Sequence, residues 1–182
     1  IDVCIGQAYD KEYEKDDKIT LNEYLYMIEK KTGALLSLCV EIPALLSNQE
    51  NMISENLRDY GYNIGKAFQI QDDILEIYSN VKSMGKSLGS DILSKKQTAL
   101  TIMARKLYPD EWFELNQNLE SFSVEQMIIM IRSFFDKNNI INETKLLSEK
   151  YFQNALDNLL VISESKRSDL ISFTNFIKNR EY

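Results

Sequence analysis

From Ser54 to Ser79 the chain keeps a helical apolar period with no proline. Inside that run, Phe68-Gln69-Ile70-Gln71-Asp72-Asp73-Ile74-Leu75-Glu76 sets three carboxylates at i, i+1 and i+4. Helical spacing puts Leu57, Tyr60, Gly61, Ile64, Phe68, Gln71, Leu75 and Tyr78 on a core side, and Gly65, Gln69, Asp72, Asp73 and Glu76 on the side of a polar cavity. Asp72 and Glu76 are then one turn apart, with Gln69 a turn below and Asp73 beside them. Like charges this close repel or shift one another's pKa. A divalent cation relieves that cost, and an all-oxygen donor set suits Mg²⁺, which binds through one or two carboxylates plus substrate phosphates. An Asp-Asp pair on a helix is more often a solvated surface, so the pattern gains weight only from its apolar setting.

Six glycines and two prolines in 182 residues are too few for the turns of a many-stranded β protein, which favours an all-α fold. With 44% hydrophobic and 27% charged residues, the chain reads as one globular unit spanning residues 1–182. No apolar run reaches the roughly 20 residues of a transmembrane helix. A net charge of −7 argues against a nucleic-acid partner, which calls for a basic surface. The absence of histidine excludes a Ser-His-Asp triad, a Cys-His dyad and any His-ligated metal in this chain. Cys4 and Cys39 stand alone in apolar stretches and are expected to be reduced core residues of a cytoplasmic protein. Ile1 opens the sequence without Met or a signal-peptide pattern, so the chain is expected to begin inside a longer protein.

Along the chain, residues 1–10 read as the tail of a helix, and Lys11 to Lys18 as a charged connection. Thr20-Leu21-Asn22-Glu23 has capping-box spacing and predicts a helix carrying Leu21, Tyr24, Leu25 and Ile28 inward. That helix should run on toward Pro43, with a weak point at Gly33 and a kink or break at the proline. A loop from Met84 to Asp91 precedes a segment from Ile92 to about Leu107. Ser123-Val124-Glu125-Gln126 offers a second capping box, and helical spacing recurs through Phe152–Leu160 and Leu170–Ile177.

Beyond the acidic run, Lys31-Thr32, Lys86 and Lys96 could neutralise the oxygens of a diphosphate, and together with Asp72, Asp73 and Glu76 they match a polyanion bridged to carboxylates by metal. Each lysine alone reads as an ordinary surface charge. Gly85-Lys86-Ser87 superficially resembles the end of a P-loop, but the upstream glycine and preceding strand are missing, which excludes that reading. Gln7 and Asp10, at i and i+3, read from spacing as a helix-end polar pair.

Taken in order, Gly6-Gln7-Ala8-Tyr9-Asp10, Lys31-Thr32-Gly33-Ala34-Leu35, Gly65 through Glu76, then Gly85-Lys86 through Asp91, Lys96 and Thr98, resemble the trans-isoprenyl diphosphate synthases, or polyprenyl synthetases. Lys178-Asn179-Arg180 also resembles the family's C-terminal end. The match covers the whole chain and corresponds to the C-terminal half, or slightly more, of the family's usual length. It implies an antiparallel helical bundle of the isoprenoid synthase type, lacking its N-terminal helices. It also implies a Mg²⁺-dependent prenyltransferase: an allylic diphosphate ionises, isopentenyl diphosphate attacks the cation, and a product five carbons longer forms. By motif position, Asp72 would be the principal metal ligand, with Asp73 and Glu76 assisting. Lys31, Lys86 and Lys96 would bind the allylic diphosphate. Thr32 and Gln69 would position the reacting carbons. Gln7, Asp10 and Asp91 would stand behind the metal cluster, and the enzyme would be a homodimer.

Two departures bear on that expectation. The family's second acidic motif usually ends in Asp where this chain has Glu76, whose longer side chain can still reach a metal or its water shell. The first Asp-rich motif is absent and would lie upstream of residue 1; Asp16-Asp17 stands in the wrong context, after the GQxxD segment. The isolated chain is therefore expected to be inactive. The alternative is a non-catalytic partner or regulatory subunit of a prenyl diphosphate synthase, against which the retained Lys31, Asp72, Lys86 and Lys96 count.

Overall fold

The long apolar run folds as one helix. In the computed structural model, which describes residues 1–14, 16–78, 96–119 and 121–180, α1 is Asp2–Tyr13, α2 Leu21–Ile28, α3 Ala34–Leu46 and α4 Asn51–Tyr78. They are followed by α5 (Ala99–Leu107), α6 (Pro109–Leu119), α7 (Val124–Lys137), α8 (Ile140–Asn158) and α9 (Glu164–Lys178). No strand occurs among the described residues. No described helix is long and apolar enough to cross a membrane. At 28 residues, α4 is about 42 Å long.

Both predicted capping boxes form. Thr20 N–H donates to Glu23 Oε2 at 2.7 Å and Glu23 N–H to Thr20 Oγ1 at 3.3 Å, starting α2 at Leu21. Ser123 and Gln126 repeat the exchange at the head of α7. A third box is new: Thr98 caps α5, with Thr101 as its reciprocal partner. Thr101 carries a hydroxyl where the familiar pattern has Glu or Gln, which hid the box. Within the segment expected from Ile92 to about Leu107, Lys96, Gln97 and Thr98 are non-helical, the helix runs from Ala99 to Leu107, and residues 92–95 lie outside the described residues. Lys11 to Tyr13 belong to α1 rather than to a connection.

The weak point expected at Gly33 is a π-turn, Glu29–Gly33, between α2 and α3. The helix does not break at Pro43 but runs on to Leu46. By then only its last turn remains, so the hydrogen bond lost to the proline is near an end that frays anyway.

The chain divides into two compact units. The first comprises Ile1–Asp10, Leu25–Gln69 and the C-terminal stretch from Leu147. Its core is Ala44, Leu57, Tyr60, Ile64 and Ala67 with Phe152, Ala155, Leu159 and Ile177. Each large side chain so buried contributes about 1.5–3 kcal/mol. The Tyr60 hydroxyl, buried with them, lies 3.0 Å from Thr174 Oγ1 and donates to Leu170 O at 3.1 Å, so its polar end is satisfied. In the last helix Ile177 is buried and Leu170 packs partly buried against the same core, as its spacing predicts, but Phe173 is exposed and Thr174 is buried in its place.

The second unit comprises Lys11–Tyr24 and Ile70–Leu146. Trp112 stacks on Phe135 with ring centroids 5.6 Å apart and tilts against Phe134 at 5.4 Å. At the C-terminal end of α4, Arg132 Nε donates to Ile77 O at 2.6 Å and its guanidinium lies over the Tyr78 ring, a cation meeting the negative end of the helix.

Cys4 and Cys39 are exposed, correcting their expected place in the core. Their apolar neighbours Val3 and Ile5 on α1, and Leu35, Leu38 and Ile42 on α3, are exposed with them, so apolar sequence did not mean burial on these faces.

Candidate functional site

Two close crossings fix the π-turn. A Cβ at Gly6 would lie 2.2 Å from Lys31 N and 2.6 Å from Lys31 Cα, so α1 can press against the turn only through a glycine. On the other side, a Cβ at Gly65 of α4 would lie 2.4 Å from Gly33 Cα. π-turns are found disproportionately at functional sites because they re-aim side chains that a regular helix would carry elsewhere. Here the turn carries Lys31 and Thr32.

Both side chains are engaged. Lys31 Nζ lies 2.6 Å from Asp10 Oδ2, the oxygen that also accepts from Gln7 Nε2 at 3.3 Å. Asp10 is nearly buried, with 9% of its side chain exposed, while Lys31 keeps 29%. Of the two partners the carboxylate is thus the more deeply buried, and the lysine side chain keeps part of its surface toward solvent. Thr32 Oγ1 donates to Gln69 Oε1 at 3.2 Å. Lys30 pairs with Asp2 at 2.8 Å, and Lys66 with Glu29. The Asp2 carboxyl is held below its ordinary range chiefly by that Lys30 hydrogen bond.

In the second unit, Asp73 is only 4% exposed and accepts at Oδ2 from Tyr24 Oη at 2.7 Å and from Ala99 N–H at 2.8 Å. The polar side expected for α4 is thus revised. Asp73 lies on the buried stripe with Ile70, Ile74 and Ile77, whereas Phe68, Gln71, Leu75 and Tyr78 are only partly buried. Gly65 too is buried rather than facing a cavity. Asp72 and Glu76, at i and i+4, are partly exposed.

These positions bear on a metal. Among the described residues no group of three or more His, Cys, Asp or Glu side chains gathers at a metal-sized volume. Asp72 and Glu76, both partly exposed, are hard oxygen donors of the kind Mg²⁺ takes. Asp73 already spends one oxygen on two protein donors.

A sequence model of the polyprenyl synthetase family matches residues 1–133. The chain belongs to the polyprenyl synthetase family. It is 34% identical to a geranylgeranyl pyrophosphate synthase of Geoglobus acetivorans, over all of this chain and 56% of that protein. It is also 34% identical to a short chain isoprenyl diphosphate synthase of Methanocaldococcus jannaschii, over all of this chain and 55% of the relative. Among solved structures, a geranylgeranyl pyrophosphate synthase superposes with a TM-score of 0.86 at 29% identity, over the whole of this chain and 58% of that one. A heptaprenyl diphosphate synthase from Staphylococcus aureus gives the same score and identity over 57% of its length. The chain thus spans a little over half the length of these relatives, and its all-α fold is that of the isoprenyl diphosphate synthases.

Within this polyprenyl synthetase chain, Gln7, Asp10 and Lys31 form one polar group in the first unit, and Thr32, beside Lys31 in sequence, pairs with Gln69. Asp72, Asp73, Glu76 and Lys96 belong to the second. Lys86 and Asp91 lie outside the described residues. Sequence reading did not find Tyr24 and the Ala99 N–H as partners of Asp73. Tyr24 carried only the signal of an apolar helix position, and a backbone donor carries none.

Proposed function

We propose that this chain carries the allylic-diphosphate half of a Mg²⁺-dependent trans-prenyltransferase, which condenses isopentenyl diphosphate with an allylic diphosphate. The supporting observation is the π-turn that holds Lys31 against Asp10 and Thr32 against Gln69, on the residues that carry the family resemblance.

Lys31, with Lys86 and Lys96, neutralises the oxygens of the leaving diphosphate, and Lys31 can do so because part of its side chain remains accessible. Asp72 and Glu76 would hold Mg²⁺, which when bound stabilises charge developing on the departing diphosphate. Asp73 holds the neighbouring carboxylates in register by anchoring α4 to Tyr24 and to the head of α5. Thr32 and Gln69 orient the reacting carbons, their mutual hydrogen bond fixing both rotamers. Gln7, Asp10 and Asp91 support this set. The working form is a cytoplasmic homodimer, and the 182 residues alone do not turn over.

The test measures condensation of isopentenyl diphosphate with an allylic diphosphate by the full-length gene product. Asp72→Asn and Lys31→Ala should each lower kcat/KM by about 100-fold or more, in the range of lost transition-state electrostatics. Wild-type turnover in both variants would overturn the assignment. Turnover by the 182 residues alone would remove the inactivity claim.

A further inference from the structure

Asp10 stands out because it is a buried carboxylate that the reaction itself does not use. It lies on α1, and Lys31 is its cationic partner among the described residues, 2.6 Å away and 21 residues on. We infer that Asp10 is the positioning residue for Lys31, holding its ammonium where the allylic diphosphate arrives. This rests on the reading that Lys31 meets that diphosphate.

Lysine is a flexible four-carbon stem ending in a point charge, and holding it still costs rotamer entropy. Three features remove that freedom before any ligand binds. The Lys31 backbone is pinned by the Gly6 crossing, only 2.2 Å from where a Cβ would stand. The π-turn sets the direction of the side chain. Asp10 takes one of the three ammonium donors, and is itself oriented by Gln7 at 3.3 Å on the same oxygen. Two donors are left for a phosphate. Asp10 is the more buried partner, with 9% of its side chain exposed against 29% for Lys31, so an anion approaching from solvent meets the lysine before the carboxylate. Positioning therefore outweighs competition, and Asp10 strengthens diphosphate binding although its own charge is negative. Gly6-Gln7-x-x-Asp10 acquires a single purpose on this view: a glycine to allow the approach, a carboxylate to hold the lysine and an amide to hold the carboxylate.

The test uses the full-length gene product with Mg²⁺ and inorganic pyrophosphate, measuring Kd by calorimetry for wild type, Asp10→Asn, Lys31→Ala and the double variant. Each single change should weaken binding about tenfold, and the double should be no weaker than Lys31→Ala, because contacting partners couple by that order. KM for the allylic substrate should rise in Asp10→Asn while KM for isopentenyl diphosphate stays put, a split that general destabilisation does not produce. If Lys31→Ala weakens binding but Asp10→Asn leaves it unchanged or tighter, or if their effects add, the positioning role is overturned. If Lys31→Ala itself changes nothing, the reading of Lys31 fails first. Should Asp10→Asn not fold, Asp10→Glu, which keeps the charge but moves it by a methylene, must weaken pyrophosphate for the proposal to stand.

Discussion

Tyr24 donates its phenolic proton to Asp73 at 2.7 Å across 49 positions of sequence, and the same carboxylate oxygen takes the first N–H of α5. Of two adjacent aspartates with the same charge and side chain, one is therefore part of the scaffold and the other is partly exposed. Tyr24→Phe removes a hydrogen bond to a buried charge and should cost about 2 kcal/mol, a Tm loss of roughly 4–8 °C at this size. Asp73→Ala should cost at least as much, while Asp72→Asn, at a partly exposed position, should leave Tm within about 2 °C. Thermal melts of the three variants check this; equal losses at Asp72 and Asp73 would contradict the division of labour.

Gly65 should not tolerate a methyl group. In an open helix Gly→Ala gains about 1 kcal/mol from propensity, but here the new Cβ would meet Gly33 Cα at 2.4 Å, and backbone cannot rotate away. Gly61, one turn earlier, faces Ser37 Cα at 2.3 Å in the same way, so α4 would have to move as a body. Gly65→Ala should therefore destabilise by about 1–3 kcal/mol, the usual range for overpacking. A urea midpoint that rises instead would show that the crossing can relax.

Ser123 and Thr98 both close capping boxes, but in different surroundings. Ser123 is exposed, so Ser123→Ala should cost about 1 kcal/mol, the ordinary value of a cap. Thr98 is only 3% exposed, and Thr98→Val keeps its shape while leaving the partly buried Thr101 N–H without its acceptor. Its cost should exceed that of Ser123→Ala, approaching about 2 kcal/mol. Chemical denaturation of the pair gives the order directly.

Local signals in the sequence read well and distant ones did not. The two hydroxyl-to-carboxamide or carboxylate boxes, the length of α4 and the all-α class follow from spacing within a few residues. The Gly33 weakness was legible as a location, but its form, a π-turn gripped by Gly6 and Gly65, depends on crossings between segments. Spacing groups Asp73 with Asp72 and Glu76 on the cavity side of α4, because three neighbouring carboxylates read as one cluster. Two donors from other elements satisfy Asp73, so it can sit among isoleucines. Cys4 and Cys39 erred in the opposite direction, because an apolar stretch specifies a surface to be covered without saying whether this chain covers it. Lys31 and Asp10 were each picked out, yet their pairing needs the fold to bring α1 to the turn.

The protein should lose stability steeply as pH rises past about 10. Burial raises the Tyr60 and Tyr151 phenols above their ordinary value of 10.0, and burial followed by the hydrogen bond to Asp136 raises Tyr78 furthest. Lys30, held by its hydrogen bond to Asp2, is shifted in the same direction. A group whose folded pKa exceeds its unfolded one keeps its proton longer in the native state. Its contribution is complete below the unfolded value and disappears as pH climbs through the folded one. The window thus opens near pH 10, where the unfolded chain's tyrosines begin to ionise while Tyr78, donating to Asp136 Oδ1 at 2.9 Å, still holds its proton. Urea midpoints at pH 8 and pH 10.5 should show the drop in wild type and a smaller one in Tyr78→Phe, which has no proton to lose. An equal drop in the variant would place the linkage elsewhere, at Tyr60, Tyr151 or the lysines.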